Sequence, residues 1–261
     1  MSIYDSHTHP NLSPLSNRLE EIIDDCKNNN IYFNVVGVDI ESSKKAIDIA
    51  NKYSQWVKAC IAIHPNDVQN FNLLESEKIL NQLCIENKNV ISAIGECGLD
   101  FYYSKNFMDV QYKFLLMQTQ LAKKHLLPIM FHVRNAHMEI IDFIKKEKIN
   151  VPIIIHCFSE NLKLAQEFIT LRSKFNIYLS IPGIVTFKNA IDLQNAVKII
   201  PLDMLLVETD APWLTPTPFR GKENKPLYSK HTIEKIANLK NISFEEVKQK
   251  TFKNAMELFR K

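Results

Sequence analysis

The sequence of 261 residues lacks several features that mark whole classes of protein. It has no run of about 18 consecutive apolar residues, so no transmembrane helix is expected. The N-terminus has no charged segment followed by an apolar stretch, which predicts a cytoplasmic protein without a secretory signal. The five cysteines form an odd set without a Cys-x-x-Cys pair, which argues against both a disulfide framework and a zinc ribbon.

A large charge excess of one sign is also missing. The 32 Lys and Arg residues and 29 Asp and Glu residues leave a net charge of +3. Domains devoted to nucleic-acid binding often carry a stronger basic face. Any affinity for a polyanion must therefore come from a few local cations, and the composition implies no protein partner.

What the chain does contain is a regular alternation of strand-like and helix-like segments. Hydrophobic residues make up 46% of it, enough for a large core. Apolar residues repeat at helical spacing between the strands, as at Leu19, Ile22, Ile23 and Cys26. Short apolar runs favour a parallel sheet covered on both faces. Eight such runs are found, over residues 3–6, 32–38, 57–63, 90–94, 128–131, 151–155, 177–181 and 204–207.

Eight strand–helix units predict an α/β fold, a (β/α)8 TIM barrel, with residues 1–261 forming a single domain. Prolines and a glycine break the segment after the eighth strand, which is expected to be a long loop. Two extra C-terminal helices are predicted over residues 231–239 and 244–259. Ser243 and Glu246 form a capping box at the start of the second.

Six potential metal ligands lie at or just past the ends of these strands: His7, His9, Glu96, His132, His156 and Asp210. Barrel enzymes carry their chemistry at the carboxyl ends of the strands. The first two histidines are two residues apart on an extended chain, so one metal can take both. Gly95 and Gly98 flank the glutamate, which indicates a backbone that needs close approach or a positive φ there.

The motifs that contain these ligands resemble those of a known family. In order and spacing they are similar to the TatD family of metal-dependent deoxyribonucleases, within the amidohydrolase superfamily, and the resemblance covers essentially the whole chain. The motifs are Asp5-Ser6-His7-Thr8-His9, Ile63-His64-Pro65, Gly95-Glu96-Cys97-Gly98-Leu99-Asp100, the segment from Pro128 to Arg134, His156-Cys157-Phe158-Ser159 and Glu208-Thr209-Asp210-Ala211-Pro212-Trp213-Leu214.

The resemblance implies a (β/α)8 barrel that cleaves phosphodiester bonds in DNA with two divalent ions, of magnesium, manganese or zinc. His7, His9 and Asp210 would hold one ion and His132 and His156 the other. Glu96 would bridge the two ions. Asp210 would also accept the proton of the attacking water, so Glu96 and Asp210 are the expected catalytic residues.

Three further residues are expected to contact substrate. Arg134 follows the ligand His132 by two residues, and its guanidinium can hold a phosphate by two hydrogen bonds. Arg220 lies in the loop after the eighth strand, a region where barrels often bind phosphate. His64 can touch substrate or orient a ligand. Among aromatic residues that could stack on bases, Trp213 is expected to pack in the core instead.

The chain departs from the family pattern at three positions beside these motifs, Asn66, Asn135 and Glu160. None is a predicted ligand, and each can alter the rim that substrate meets. Other activities remain open: an amidohydrolase acting on an amide, a lactone or a small phosphoester, or a binding protein that keeps a metal for structure. Single-stranded and duplex DNA are not distinguished by sequence. Amidohydrolases often bridge their metals through a carboxylated lysine on strand four, where this chain has Glu96 and no lysine, which favours the nuclease.

Overall fold

A computed structural model of the protein describes residues 2–103 and 105–260. Its sheet is a closed barrel of eight parallel strands that follow one another in chain order. The strands are β1 (Ile3–Thr8), β2 (Ile31–Val36), β3 (Val57–Ile61), β4 (Ile91–Asp100), β5 (Ile129–Arg134), β6 (Ile153–Ile155), β7 (Ile177–Ile181) and β8 (Leu205–Val207). The predicted (β/α)8 TIM barrel is confirmed.

An α-helix follows each strand, and one more closes the chain. They are α1 (Leu19–Asn28), α2 (Ile40–Lys52), α3 (Leu73–Glu86), α4 (Met108–His125), α5 (His137–Glu147), α6 (Leu162–Leu171), α7 (Ile191–Ile199), α8 (Ser229–Lys240) and α9 (Phe244–Phe259). The long loop and the two C-terminal helices were predicted within two residues. Ser243 caps α9, where its hydroxyl accepts the Glu246 N–H at 3.1 Å. Among the described residues, no helix combines the length and the apolar character needed to cross a membrane.

Three strands run further than the apolar pattern predicts. They are β1, β4 and β5, which continue to Thr8, Asp100 and Arg134. The polar side chains there end the apolar run, but the backbone ladder continues, as the pairing of Asp100 with Arg134 shows. His7, Glu96 and His132, which were predicted at or just past the ends of the apolar runs, therefore lie inside the longer strands.

The chain divides into two compact units, of which one contains the residues up to 35 and those from 157 onward. In this unit β1 pairs with β8 at Asp5 and Val207. Helix α9 covers β1, with the rings of Tyr4 and Phe259 stacked at a centroid distance of 5.4 Å. A buried core thus holds β1 and β8 in register at the point where two sequence motifs begin.

The second compact unit contains residues 36–156. Two buried glutamines of α4 bind the backbone of neighbouring strands through their side-chain amides. Gln118 bonds to the N–H and carbonyl of Ile63, at 2.7 and 3.1 Å. Gln111 does the same for Asp100, at 2.9 and 3.1 Å. Because buried backbone groups need partners, these amides fix the chain just after β3 and at the end of β4.

The two glycines of β4 let this strand approach β5 closely, as the sequence predicts. Gly98 has φ +151°, and a Cβ there would lie 1.9 Å from the carbonyl oxygen of His132. At Gly95 a Cβ would lie 2.5 Å from the Cβ of Met130. Only glycine fits these positions, so the two strands that carry Glu96 and His132 can pack side by side.

Candidate metal centre

The first cluster of candidate ligands lies at the carboxyl ends of β1 and β8. The Nε2 atoms of His7 and His9 are 3.0 Å apart. Oδ1 of Asp210 is 3.7 Å from the first nitrogen and 3.5 Å from the second. Both histidines are buried, and the aspartate side chain is 15% exposed. The three residues predicted to share a metal therefore converge, and solvent reaches them at the aspartate.

Backbone pairing between the two motifs builds this cluster. The N–H of Asp210 donates to the carbonyl of His7 at 2.9 Å, and the N–H of His9 donates to that of Ala211 at 2.8 Å. Asp210 itself has φ +56°, a left-handed conformation that is uncommon outside glycine. This conformation turns the chain sharply after β8 and directs the carboxylate toward the two imidazoles.

A buried carboxylate of β1 supports the same turn. Asp5 accepts the backbone N–H of Thr209 at 2.9 Å and also its hydroxyl. Burial raises the pKa of Asp5 well above its ordinary value, although the hydrogen bonds from Thr209 and His7 oppose the shift. Asp5 was not predicted as a site residue, since its partner is 204 positions away in sequence.

The loop after β8 is held by polar contacts on both sides. The amide of Asn224 donates to the carbonyls of Thr209 and Trp213, at 2.8 and 2.6 Å. Lys225 forms an ion pair with Asp25 at 2.7 Å.

The exposed Arg220 lies against the ring of Phe187, with its Cζ 4.0 Å from the centroid. Arg220 is thus in place on the surface of this unit, and its contact with phosphate stays a prediction.

Trp213 does not pack in the core, so that expectation was wrong. Its side chain is 51% exposed, and its ring meets His9 edge to face at 5.3 Å. The loop turns outward after the tight Asp210 turn, where the Trp213 N–H donates to the Asp210 carbonyl at 2.9 Å. The indole is therefore a neighbour of the first cluster.

The second cluster forms around one oxygen of Glu96. Its Oε1 lies 3.0 Å from Nδ1 of His132 and 3.4 Å from Nε2 of both His156 and His64. The glutamate is buried. Three imidazoles therefore face a single carboxylate oxygen. Two of the three were predicted as ligands, and His64 joins them.

The tautomer of His132 suits it to bind a metal through Nδ1. Its Nε2 lies 3.1 Å from Oδ2 of the buried Asp100. The carboxylate accepts a hydrogen bond there, so the proton of the neutral ring belongs on Nε2 and the Nδ1 lone pair is directed to the Glu96 side. Burial opposes ionisation of Asp100, but hydrogen bonds from His132, Tyr103 and Asn66 lower its pKa below the ordinary value.

His64 is arranged to donate a hydrogen bond. Its Nδ1 accepts the backbone N–H of Asn66 at 3.1 Å, so the proton of the neutral ring belongs on Nε2, which faces Glu96. Burial, together with the charge of His132, lowers the pKa of His64 and favours this neutral form. The geometry supports the predicted orienting or substrate-contacting role over ligation.

The three departures from the family pattern have distinct surroundings. Asn66 donates through its amide to Oδ2 of Asp100 at 3.0 Å, so it helps to fix the carboxylate behind His132. Asn135 has φ +55°, where asparagine is among the best tolerated residues. Burial raises the pKa of Glu160, which reduces its tendency to carry charge. Asn66 is thus part of the second cluster's support.

Two further supporting carboxylates, Asp100 and Glu208, were not among the predicted site residues. Both lie inside the quoted motifs, a few residues from predicted ligands, which is the only signal that marks them. Glu208 is buried, and it accepts the N–H of Cys157, the residue after His156, at 2.9 Å. Their partners are 32 and 51 positions away, so only the fold reveals these contacts.

The donor atoms of both clusters suit a divalent cation. Imidazole nitrogens with carboxylate oxygens are typical ligands of zinc and manganese. Two ligands of one ion, each about 2.1 Å from it, are about 3.0 Å apart in octahedral and about 3.4 Å apart in tetrahedral geometry. The separations of 3.0 to 3.4 Å within the histidine pair and around Glu96 fall in this range, and those of 3.5 and 3.7 Å from Asp210 exceed it slightly. The residues present therefore fit a metal in each cluster.

Comparisons with known proteins agree with this chemistry. The family model described as TatD related DNase matches residues 4–260. An uncharacterized metal-dependent hydrolase of Mycoplasma genitalium is 45% identical over 260 residues, covering 99% of each chain. The uncharacterized metal-dependent hydrolase YabD of Bacillus subtilis is 39% identical over 261 residues, also covering 99% of each.

Solved structures show the same fold. The crystal structure of YjjV, a TatD homologue from Escherichia coli, superposes with a TM-score of 0.91 over 99% of this chain and 98% of that one, at 24% identity. The hydrolase TatD family protein from Entamoeba histolytica gives a TM-score of 0.84, at 21% identity, over 100% of this chain and 98% of that one. At these identities the structural likeness supports the barrel.

Proposed function

The chain belongs to the TatD related DNase family of metal-dependent hydrolases, and from that premise we propose that it cleaves phosphodiester bonds in DNA with two divalent cations. His7, His9 and Asp210 would hold one ion. His132 and His156 would hold the other, and Glu96 would be the ligand shared by both. All strands of the barrel are parallel, and barrel enzymes carry their chemistry at the carboxyl ends of the strands, where the candidate ligands of each cluster lie.

One observation carries most of this proposal. Oε1 of Glu96 lies within 3.4 Å of the ring nitrogens of both His132 and His156. A glutamate on the fourth strand whose oxygen meets histidines from the next two strands supports the role proposed for Glu96 as a shared ligand. The fourth strand contains no lysine, so the carboxylated lysine of many amide- and lactone-cleaving relatives has no counterpart here.

The cations supply acidification of the attacking water and neutralisation of charge on the phosphoryl oxygens. The chain's own residues do the rest. Asp210 accepts the water proton at its carboxylate, which is 15% exposed and so can be reached by water. As the new P–O bond forms, the bond to the leaving oxygen breaks, and the proton held by Asp210 can pass to that oxygen.

His64 and the two arginines bind the substrate phosphate in this proposal. The Nε2–H of His64 is directed to the glutamate side of the second cluster, where a phosphoryl oxygen can accept it. Arg134 is an exposed residue two positions after His132 on the same strand. Arg220 offers a further cation from the loop after β8.

The direct experiment is hydrolysis of labelled DNA by the purified protein. Single-stranded and duplex oligonucleotides are incubated with magnesium, manganese or zinc, after chelation and dialysis. Cleavage that depends on the added ion, and that disappears on chelation, is expected. A lactone, an amide and a small phosphate monoester serve as alternative substrates. Turnover of one of these with no cleavage of either oligonucleotide would reject the nuclease proposal.

A further inference from the structure

Two exposed tyrosines follow β4 after Phe101, next to the second cluster. Tyr102 and Tyr103 are 58% and 66% exposed. Their rings stand perpendicular, at 89°, with centroids 4.6 Å apart. Two adjacent aromatic rings that remain this exposed form an apolar surface with no evident role in the fold.

The guanidinium of Arg134 occupies the corner between the two rings. Its Cζ lies 4.2 Å from the centroid of Tyr102 and 4.6 Å from that of Tyr103. Both contacts are cation–π interactions, which hold the arginine plane in one orientation. The rings keep more than half of their surface exposed even with this cation against them.

A single carboxylate ties this corner to the second cluster. Oδ1 of Asp100 accepts the N–H groups of Tyr102 and Tyr103, at 3.0 and 2.9 Å. Oδ2 of the same residue lies 3.1 Å from Nε2 of His132. The N–H of Phe101 also donates to the carbonyl of Arg134 at 2.9 Å. The tyrosines are therefore held in a fixed turn, one carboxylate away from a candidate ligand.

We propose that Tyr102 and Tyr103 form a stacking platform for an unpaired nucleobase, and that Arg134 between them binds the phosphate of the same strand. A positive charge flanked by aromatic faces is the combination that binds single-stranded nucleic acid. The faces of duplex bases are covered by their neighbours, so the platform selects single-stranded DNA or frayed ends. This inference rests on the proposed nuclease function and names its substrate class.

The test compares Tyr102→Ala, Tyr103→Ala and the double variant with the matched Tyr→Phe changes, which keep the rings. Each is assayed on a single-stranded oligonucleotide and on one with abasic residues beside the cleaved phosphate. In the alanine variants, loss of the stacking contact should raise KM by roughly 5- to 150-fold on the normal strand, with kcat near the parent value. On the abasic strand the parent and alanine variants should become alike, and the phenylalanine variants should match the parent throughout.

Equal losses on both strands would overturn the inference, because the tyrosines would then act only by supporting Arg134 or the fold. So would alanine variants that match the parent on the normal strand. If the parent cleaves neither strand with any divalent ion, the proposed nuclease function fails. Stacking is still decided in that case by fluorescence of 2-aminopurine in the oligonucleotide. The parent and phenylalanine variants should quench it and the alanine variants should not, and equal signals for all would reject the platform.

Discussion

The two ligand clusters are built in different ways. The first is formed by backbone pairing: the Asp210 N–H binds the His7 carbonyl, and both histidines are buried. The second is formed by side chains, with Asp100 and Asn66 behind the candidate ligand His132, whose side chain is 18% exposed. The comparison indicates that the first cluster is set by the fold of β1 and β8, whereas the second depends on a hydrogen-bond network that single substitutions can break.

The largest effect is expected from Glu96→Ala, because this residue is the centre of the second cluster and the proposed bridge to the first. Activity should fall on the order of 10³-fold or more, since several kcal/mol of charge stabilisation is lost with the metals. Metal content measured by mass spectrometry should fall with it. Glu96→Gln is the matched control, because it keeps the size and one ligating oxygen. An alanine variant that retains its metals and its rate would contradict the assigned role.

Asp210→Asn tests the first cluster and is expected to have the next largest effect. Asparagine keeps the shape and one oxygen but loses the basicity needed to accept a proton. Turnover should fall at least roughly 100-fold, as expected for a lost general base, while DNA affinity changes little. If the variant with bound metals turns over DNA at the parent rate, the proton acceptor is another group, and the nearby buried Glu208 becomes the better candidate.

Asp100→Asn addresses the network that distinguishes the second cluster. Asparagine has one terminal oxygen, and when this oxygen accepts the N–H groups of Tyr102 and Tyr103, the amide nitrogen faces Nε2 of His132 and cannot accept from it. The tautomer and orientation of that ring are then no longer fixed. Metal affinity should fall about 10- to 100-fold, the usual cost of losing a partner behind a ligand. Titration with manganese, followed by its electron paramagnetic resonance signal, measures this. Thermal unfolding of the metal-free protein is the control. A variant that unfolds at a lower temperature than the parent but binds manganese with the parent affinity would assign Asp100 to the fold alone.

Arg134→Ala is expected to give the smallest effect and to leave both clusters intact. Loss of a charged hydrogen bond to phosphate should raise KM about 10-fold with little change in kcat. The slope of the logarithm of the DNA-binding constant against the logarithm of the salt concentration should become shallower by about one. Arg220→Ala, in the other compact unit, is the matched comparison. An unchanged KM for both variants would remove the arginines from substrate binding.

The barrel could be predicted because the eight apolar runs and the helical repeats between them are visible in this single sequence. The six candidate ligands could be predicted because their motifs resemble a known family. The ends of β4 and β5 could not, since Glu96, Asp100 and Arg134 interrupt the apolar pattern while the backbone pairing continues. The roles of Asp100 and Asn66 were also missed, because Asp100 meets His132 and Asn66 only through contacts across 32 and 34 positions.

The central claim is that the two clusters hold one ion each, and metal stoichiometry tests it most directly. Native mass spectrometry of the manganese-loaded parent should show two ions per chain. His9→Ala and His132→Ala should each retain one, and the double variant should retain neither. A parent that binds a single ion, or two single variants that lose the same ion while the double variant still holds one, would contradict the two-cluster account.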